Sequence, residues 1–195
     1  EYEYAVIVND QESDKTYEFE TQSLWQWRED PPDFSFIAGS CVYINEEKFD
    51  RPGKAYGGNY SIFEKIVEEN ADFMVWLGDN TYLRDADWNS RTGIYHRYTH
   101  SRNVKEMQPL LSKIHHYAIW DDHDYGVNDG GKEFAMKKES QQAFLDFFEF
   151  SKDDPIRQQQ GIYHSRMFND DVRQVHVISL ATHYHRVDII KDPNG

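Results

Sequence analysis

Three apolar stretches of this chain each run straight into a turn dense with ligand-type side chains. Phe34 to Ala38 leads to Gly39, Ser40 and Cys41. Phe73 to Leu77 leads to Gly78, Asp79, Asn80, Thr81 and Tyr82. His116 to Trp120 leads to Asp121, Asp122, His123, Asp124, Tyr125, Gly126, Val127 and Asn128. Short apolar runs bounded by glycine and acidic turn formers read as buried strands. Helical stretches, Ser61 to Asn70 and Met107 to Ile114, stand between them, and this alternation predicts a three-layer α/β domain with a mixed sheet. The loops that follow parallel strands share one rim of such a sheet, so three polar sets from distant parts of the sequence should converge there.

The rest of the chain is read in the same way. Tyr4 to Val8 and Thr16 to Phe19, separated by Asn9, Asp10, Ser13 and Asp14, predict a hairpin, with the turn formers as its connection. Gln22 to Asp33, carrying Trp25, Trp27, Pro31 and Pro32, is too rich in proline for a regular element and reads as a connector. Ser61 with Glu64, and Asn103 with Glu106, match the capping-box pattern at helix starts, and Pro109 belongs in a first turn. A long helix is expected from about Lys132 to Phe150, then strands from Gly161 to Phe168 and from Val172 to Leu180.

Charge narrows the function. The 195 residues hold 35 Asp and Glu against 21 Lys and Arg, a net charge of -14, with no run of basic residues, so a nucleic-acid-binding surface is not expected. The longest apolar runs fall far short of the roughly 20 residues that span a bilayer, so no transmembrane segment is expected. Apolar residues are only 38% of the chain while aromatic ones reach 15%, which makes large rings the main source of buried area. One cysteine forbids an internal disulfide framework. The first residues have neither the basic start nor the apolar core of a signal peptide.

Each rim residue has an ordinary reading and a chemical one. Cys41 is by base rate a small buried hydrophobe; after a Gly-Ser turn it is placed to be a thiolate ligand or nucleophile. Asp79 caps a turn, or it is the carboxylate that a strand-Gly-Asp turn presents to two metals. Tyr82 is a core ring, or a phenolate suited to a hard trivalent ion such as ferric iron. Asp121, Asp122 and Asp124 crowd around His123, an arrangement that costs repulsion unless a cation or solvent offsets it. Asn128 offers the neutral oxygen that calcium accepts. His96 and His100, four apart, and His115 read as surface or structural. His183, His185 and Arg186 form another rim loop, either an ordinary polar loop or one in which Arg186 holds an anion and His183 an anion or a metal.

The stretches FIAGSCVY, FMVWLGDNTYLRDADW, HYAIWDDHDYGVND and LATHYHR, taken in order, resemble the alkaline phosphatase D (PhoD-like) family of metallophosphoesterases. The resemblance runs from about Phe34 to Arg186. It implies a calcineurin-like α/β sandwich with a mixed sheet, preceded by a partial β domain: residues 1–28 as a β-rich piece and linker, and 29–195 as the N-terminal part of the phosphoesterase domain. It also implies hydrolysis of phosphate mono- or diesters by a metal-bound hydroxide, with ferric iron and calcium as cofactors and an extracellular or periplasmic setting. By position, Cys41, Asp79, Tyr82 and Asn128 match metal ligands, whereas Asp122, His123 and Arg186 are the catalytic candidates. Two departures stand out. Leu180, Ala181, Thr182 and His183 occupy the place of the family's Leu-Asp-Thr-Arg, and the family's later GD-x-HH-like segment is absent from these residues. They motivate an alternative, a non-catalytic binding or structural protein on a degenerate phosphatase scaffold. A cysteine hydrolase using Cys41, His123 and an Asn or Asp orienter is a third reading.

Overall fold

The computed structural model describes residues 2–21, 33–169 and 174–187. Its centre is a parallel three-stranded sheet in the order β3 (Phe36–Gly39), β4 (Phe73–Leu77) and β5 (His115–Ile119). The register pairs Phe36 with Phe73 and Phe73 with His115, so all three strands point the same way and end at one rim. Met74, Trp76 and Ala118 bury one face, packing with Ile94, Tyr98, Leu110, Trp120, Tyr125 and Phe144. Aromatic rings therefore supply much of the core, as composition requires.

Helices α1 (Ile62–Glu68), α2 (Arg91–Arg102), α3 (Gln108–Lys113), the single turn α4 (Asp122–Tyr125) and α5 (Lys137–Phe147) join and cover these strands. Two capping expectations fail. Ser61 already has helical angles and makes no side-chain cap bond, and Asn103 closes α2 instead of opening the next helix. Pro109 does stand in the first turn of α3. Helix α5 is shorter than expected, because residues 130–134 turn back to the rim: the Lys132 N–H donates to Arg186 O at 2.8 Å, and Phe134 packs on Tyr125.

The hairpin is present as β1 (Tyr2–Val8) and β2 (Gln11–Phe19), antiparallel, with a bulge between Ala5 and Ile7. Its turn is Asn9 and Asp10 alone, both at positive φ as a tight two-residue turn requires, so Ser13 and Asp14 lie within β2. The proline-bound connector falls on residues 22–32, outside the described residues. The last two strands, β6 (His164–Asn169) and β7 (Gln174–Ser179), are antiparallel, and Val172, the expected start of the second, is outside the described residues. Among the described residues they form a sheet of their own and do not extend the central one. Phe168 meets that sheet through side chains, its ring centroid 6.2 Å from Phe73 and 5.7 Å from Tyr117. The mixed sheet is thus a parallel core with separate antiparallel ribbons.

Candidate metal centre

The rim forms because the loops after β3 and β4 continue the ladder of their strands. The Cys41 N–H donates to Gly78 O at 3.3 Å and the Val42 N–H to Asp79 O at 2.8 Å. Cys41 and Asp79 both take left-handed backbone angles, φ +62 and +53. Such angles cost a non-glycine residue on the order of 1–3 kcal/mol each, a strain that clusters at functional sites. Gly78, at φ +103, permits the closest approach: a Cβ there would lie 2.7 Å from the Asp121 Cβ and 2.9 Å from its backbone nitrogen. The exits of β4 and β5 can touch only because this residue has no side chain.

That approach brings Cys41, Asp79 and Tyr82 together with Asp122 and His123, but not Asn128. Tyr82 donates its hydroxyl hydrogen to Asp79 Oδ2 at 2.9 Å, and the Cys41 thiol lies 3.7 Å from the same oxygen. Asp79, Asp122 and His123 each offer a ligand atom within 4.8 Å of the others. The His123 ring lies against the Tyr82 ring, centroids 4.3 Å apart. Partial burial, then the adjoining thiol and carboxylate of Cys41 and Asp79, push the Tyr82 phenol well above its ordinary pKa. Asp79 is 8% exposed and its Oδ1 has no hydrogen-bond partner among the described residues. A buried carboxylate oxygen without a donor is costly, and a cation is the partner that this donor set of carboxylate, imidazole, thiol and phenol fits. Cys41 is itself exposed. Asp79, Asp122 and His123, from the loops after β4 and β5, thus form a candidate metal-binding group, with Cys41 and Tyr82 against Asp79.

Asp124 locks the arrangement without belonging to it. Fully buried, it accepts from the Thr81 N–H at 3.1 Å through one oxygen and from the Asp121 N–H at 3.0 Å through the other, tying the β4 loop to the β5 loop. Burial pushes its carboxyl up to about 7, against these N–H groups and with the nearby Asp79 charge adding to the rise. Sequence reasoning grouped Asp124 with its neighbours and missed this role; its position three residues after Asp121, at the third helical place, was the available signal.

The far end of the rim is already paired. His183, 7% exposed, places Nε2 2.5 Å from Asp121 Oδ1 and Nδ1 3.1 Å from Gly130 O. Both partners are oxygen atoms, so each ring nitrogen of His183 is already engaged. Arg186 donates to Asp129 Oδ1 at 3.1 Å, and exposed Asn128 donates to Asp129 Oδ2 at 2.9 Å. The Asp129 N–H in turn donates to Asp122 Oδ2 at 2.6 Å, so Asn128 and Arg186 reach the cluster only through Asp129. His96 and His100 lie on α2 and serve the 45–46 turn, at 3.6 Å from Glu46 Oε1 and 3.3 Å from Asn45 O.

A cleft of about 660 Å³ opens beside the cluster, bordered by Cys41, Tyr43, Tyr56, Tyr82 and His123. Arg84 braces its wall. Its guanidinium grips both Asp50 oxygens, at 3.0 and 2.8 Å, while lying 4.5 Å over the Tyr43 ring. Partial burial opposes ionisation of Asp50, yet Arg84 and the Glu46 N–H hold its carboxyl down to about 2. A larger hollow of about 790 Å³, at Lys138, Asp146 and Arg157, contains none of the cluster residues.

The molecule is therefore an α/β protein whose parallel strands deliver a compact set of ligand-type side chains to one rim. A solved structure of PhoD shares this fold, with a TM-score of 0.68 and 17% identity, over 96% of this chain and 38% of that one. The chain thus spans well under half the length of that structure. No family model and no curated relative matches the sequence.

Proposed function

We propose that this chain carries part of the site of a metal-dependent phosphoester hydrolase of the alkaline phosphatase D type, on a calcineurin-like sandwich, acting on phosphate mono- or diesters. The observation that supports this most is the buried Oδ1 of Asp79, without a partner among the described residues, beside Asp122 and His123. A bound cation would supply Lewis acidity to a phosphoryl oxygen and make water a better nucleophile near neutral pH. In this reading Asp79, Asp122 and His123 hold it, with Cys41 and Tyr82 as the sulfur and phenol donors appropriate to ferric iron. Asn128 offers the oxygen of a calcium position, and Arg186 offers a guanidinium to the phosphate once it exchanges Asp129 for that anion. His123, lying tilted against Tyr82, and Asp122 thereby gain a ligand role beside the catalytic one read from sequence. An extracellular or periplasmic setting belongs to the same proposal. Among the described residues no helix is long and apolar enough to cross a membrane.

The test combines elemental analysis for iron and calcium with hydrolysis of bis(4-nitrophenyl) phosphate before and after chelation. The proposal expects stoichiometric metal and activity that chelation abolishes and metal restores. Undiminished hydrolysis by metal-stripped protein rules it out. A protein with neither metal nor hydrolysis fits the alternative of a non-catalytic scaffold, which the occupied His183 and Arg186 favour.

A further inference from the structure

The cleft beside the cluster is walled by rings, and its geometry gives it a preference that the hydrolytic reading leaves open. Tyr43 is its fixed element. The Tyr43 hydroxyl donates to Asp50 Oδ1 at 2.7 Å, and the Arg84 guanidinium covers the ring. Tyr56 and Tyr82 flank it, with centroids 5.1 and 5.0 Å away, the first edge-on and the second tilted. Tyr82 continues into His123, so the wall joins the ligand cluster without a break. Phe49 also lines the cleft; it is 41% exposed and Tyr56 is 52% exposed, so both present ring surface to whatever enters.

The turn that presents Tyr56 is built for it. Gly57 follows at φ +78, where a Cβ would lie 2.5 Å from a Tyr60 ring carbon. Only glycine fits there, and Tyr60 is itself held by the Asn45 N–H, which donates to its hydroxyl at 3.0 Å. Arg51 borders the same cleft, is exposed, and makes no side-chain hydrogen bond or ion pair among the described residues. Rings that are pre-positioned lose little freedom when another ring joins them, and an offset or edge contact with a flat π-face is the interaction they offer. An unpaired guanidinium beside them suits the negative charge of an ester on the same ligand.

We propose that this cleft selects phosphate esters whose organic group is a flat aromatic ring, with Tyr43, Tyr56 and Phe49 contacting the ring and Arg51 attracting the anion. This deepens the hydrolytic reading and rests on the same cluster, but its test separates the two. Benzyl phosphate and cyclohexylmethyl phosphate carry groups of similar bulk on leaving alcohols of similar acidity, and each has only one group to place. The metal-loaded protein is assayed for phosphate release from both, and calorimetry follows binding of the matching non-hydrolysable benzylphosphonate and cyclohexylmethylphosphonate.

The aromatic member of each pair should be favoured by roughly three- to tenfold. Tyr56→Leu should bring that ratio close to one, and Phe49→Leu should lower it in part. Arg51→Gln should weaken both phosphonates alike, by about two- to fivefold, and leave the ratio intact. Preference for benzylphosphonate without any hydrolysis upholds the cleft and defeats the hydrolytic reading. Hydrolysis or binding of both members at equal rates or affinities overturns the aromatic preference, as does a ratio that Tyr56→Leu and Phe49→Leu leave unchanged. Failure of both phosphonates to bind overturns it as well.

Discussion

The two ends of the rim differ in what their polar groups have left to do. Around Cys41, Asp79, Tyr82, Asp122 and His123, Asp79 Oδ1 lacks a partner among the described residues and a phenol and a thiol crowd one carboxylate oxygen, whereas left-handed backbone occurs at both ends, at Cys41 and Asp79 here and at Asp129 there. Around Asp121, His183, Asp129 and Arg186 every one of these side chains already has a hydrogen-bond partner. A buried polar atom without a partner is costly and persists only where the surroundings hold it in place. The first end is therefore poised for a ligand that the second would have to break its own contacts to accept.

That contrast can be broken by substitution. The largest effect should come from Asp79→Asn, which removes the charge at the unsatisfied end: hydrolysis of bis(4-nitrophenyl) phosphate should fall by about a thousandfold with the fold retained by circular dichroism. A variant with near-normal turnover would dissolve the distinction. Next is Gly78→Ala, expected to destabilise the protein by about 3 kcal/mol in urea unfolding, since it must take a left-handed angle and push Asp121 away. On the satisfied end, His183→Ala should cost about 1–3 kcal/mol of stability, chiefly by stranding the buried Gly130 carbonyl and emptying the space of the ring, since the Asp121 side chain is 55% exposed. It should change metal content little. Arg186→Gln should be the mildest, within about 0.5 kcal/mol, because its partner carboxylate is 71% exposed.

A control away from the rim sharpens the comparison through pH. His116 accepts from Trp76 Nε1 at Nδ1, 3.0 Å, and lies 3.2 Å from Leu110 O at Nε2, so the neutral ring with hydrogen on Nε2 suits both. Burial, helped by the Arg102 charge, lowers its pKa from 6.5 to about 4. Between those values the unfolded chain binds the proton and the folded one does not. The stabilisation is therefore complete above about pH 6.5 and is lost progressively as pH falls towards 4, by an amount on the order of 3 kcal/mol. Unfolding followed by Trp fluorescence at stepped pH would reveal it, and His116→Gln should flatten the slope; an unchanged slope in that variant would assign the acid sensitivity elsewhere.

Much of the rim was legible because its chemistry follows the chain: each apolar run ends where its ligand-type turn begins, and parallel pairing does the rest. Helix α2 was not legible. Its buried positions, Ile94, Arg97, Tyr98 and Ser101, have helical spacing, yet two of the four are polar and Gly93 stands in the first turn. Arg97 is buried because Asp87 and Glu46 receive it at 2.8 and 2.6 Å, a pairing that hydropathy cannot anticipate. The Asp121–His183 contact spans 62 residues and was likewise hidden, since sequence spacing carries no record of which rim groups neutralise one another. The capping boxes misled for the opposite reason: the residues fit the pattern, while Ser61 itself has helical angles and Asn103 is ending a helix.

Asp124 gives the rim a mechanical character. Because one interior carboxyl grips a backbone amide on either side, the segments that bear Asp79 and Asp122 travel as a single plate. An arriving ion would meet donors assembled when the polypeptide folded, so little ordering remains for the moment of capture, and release would be slow for the same reason.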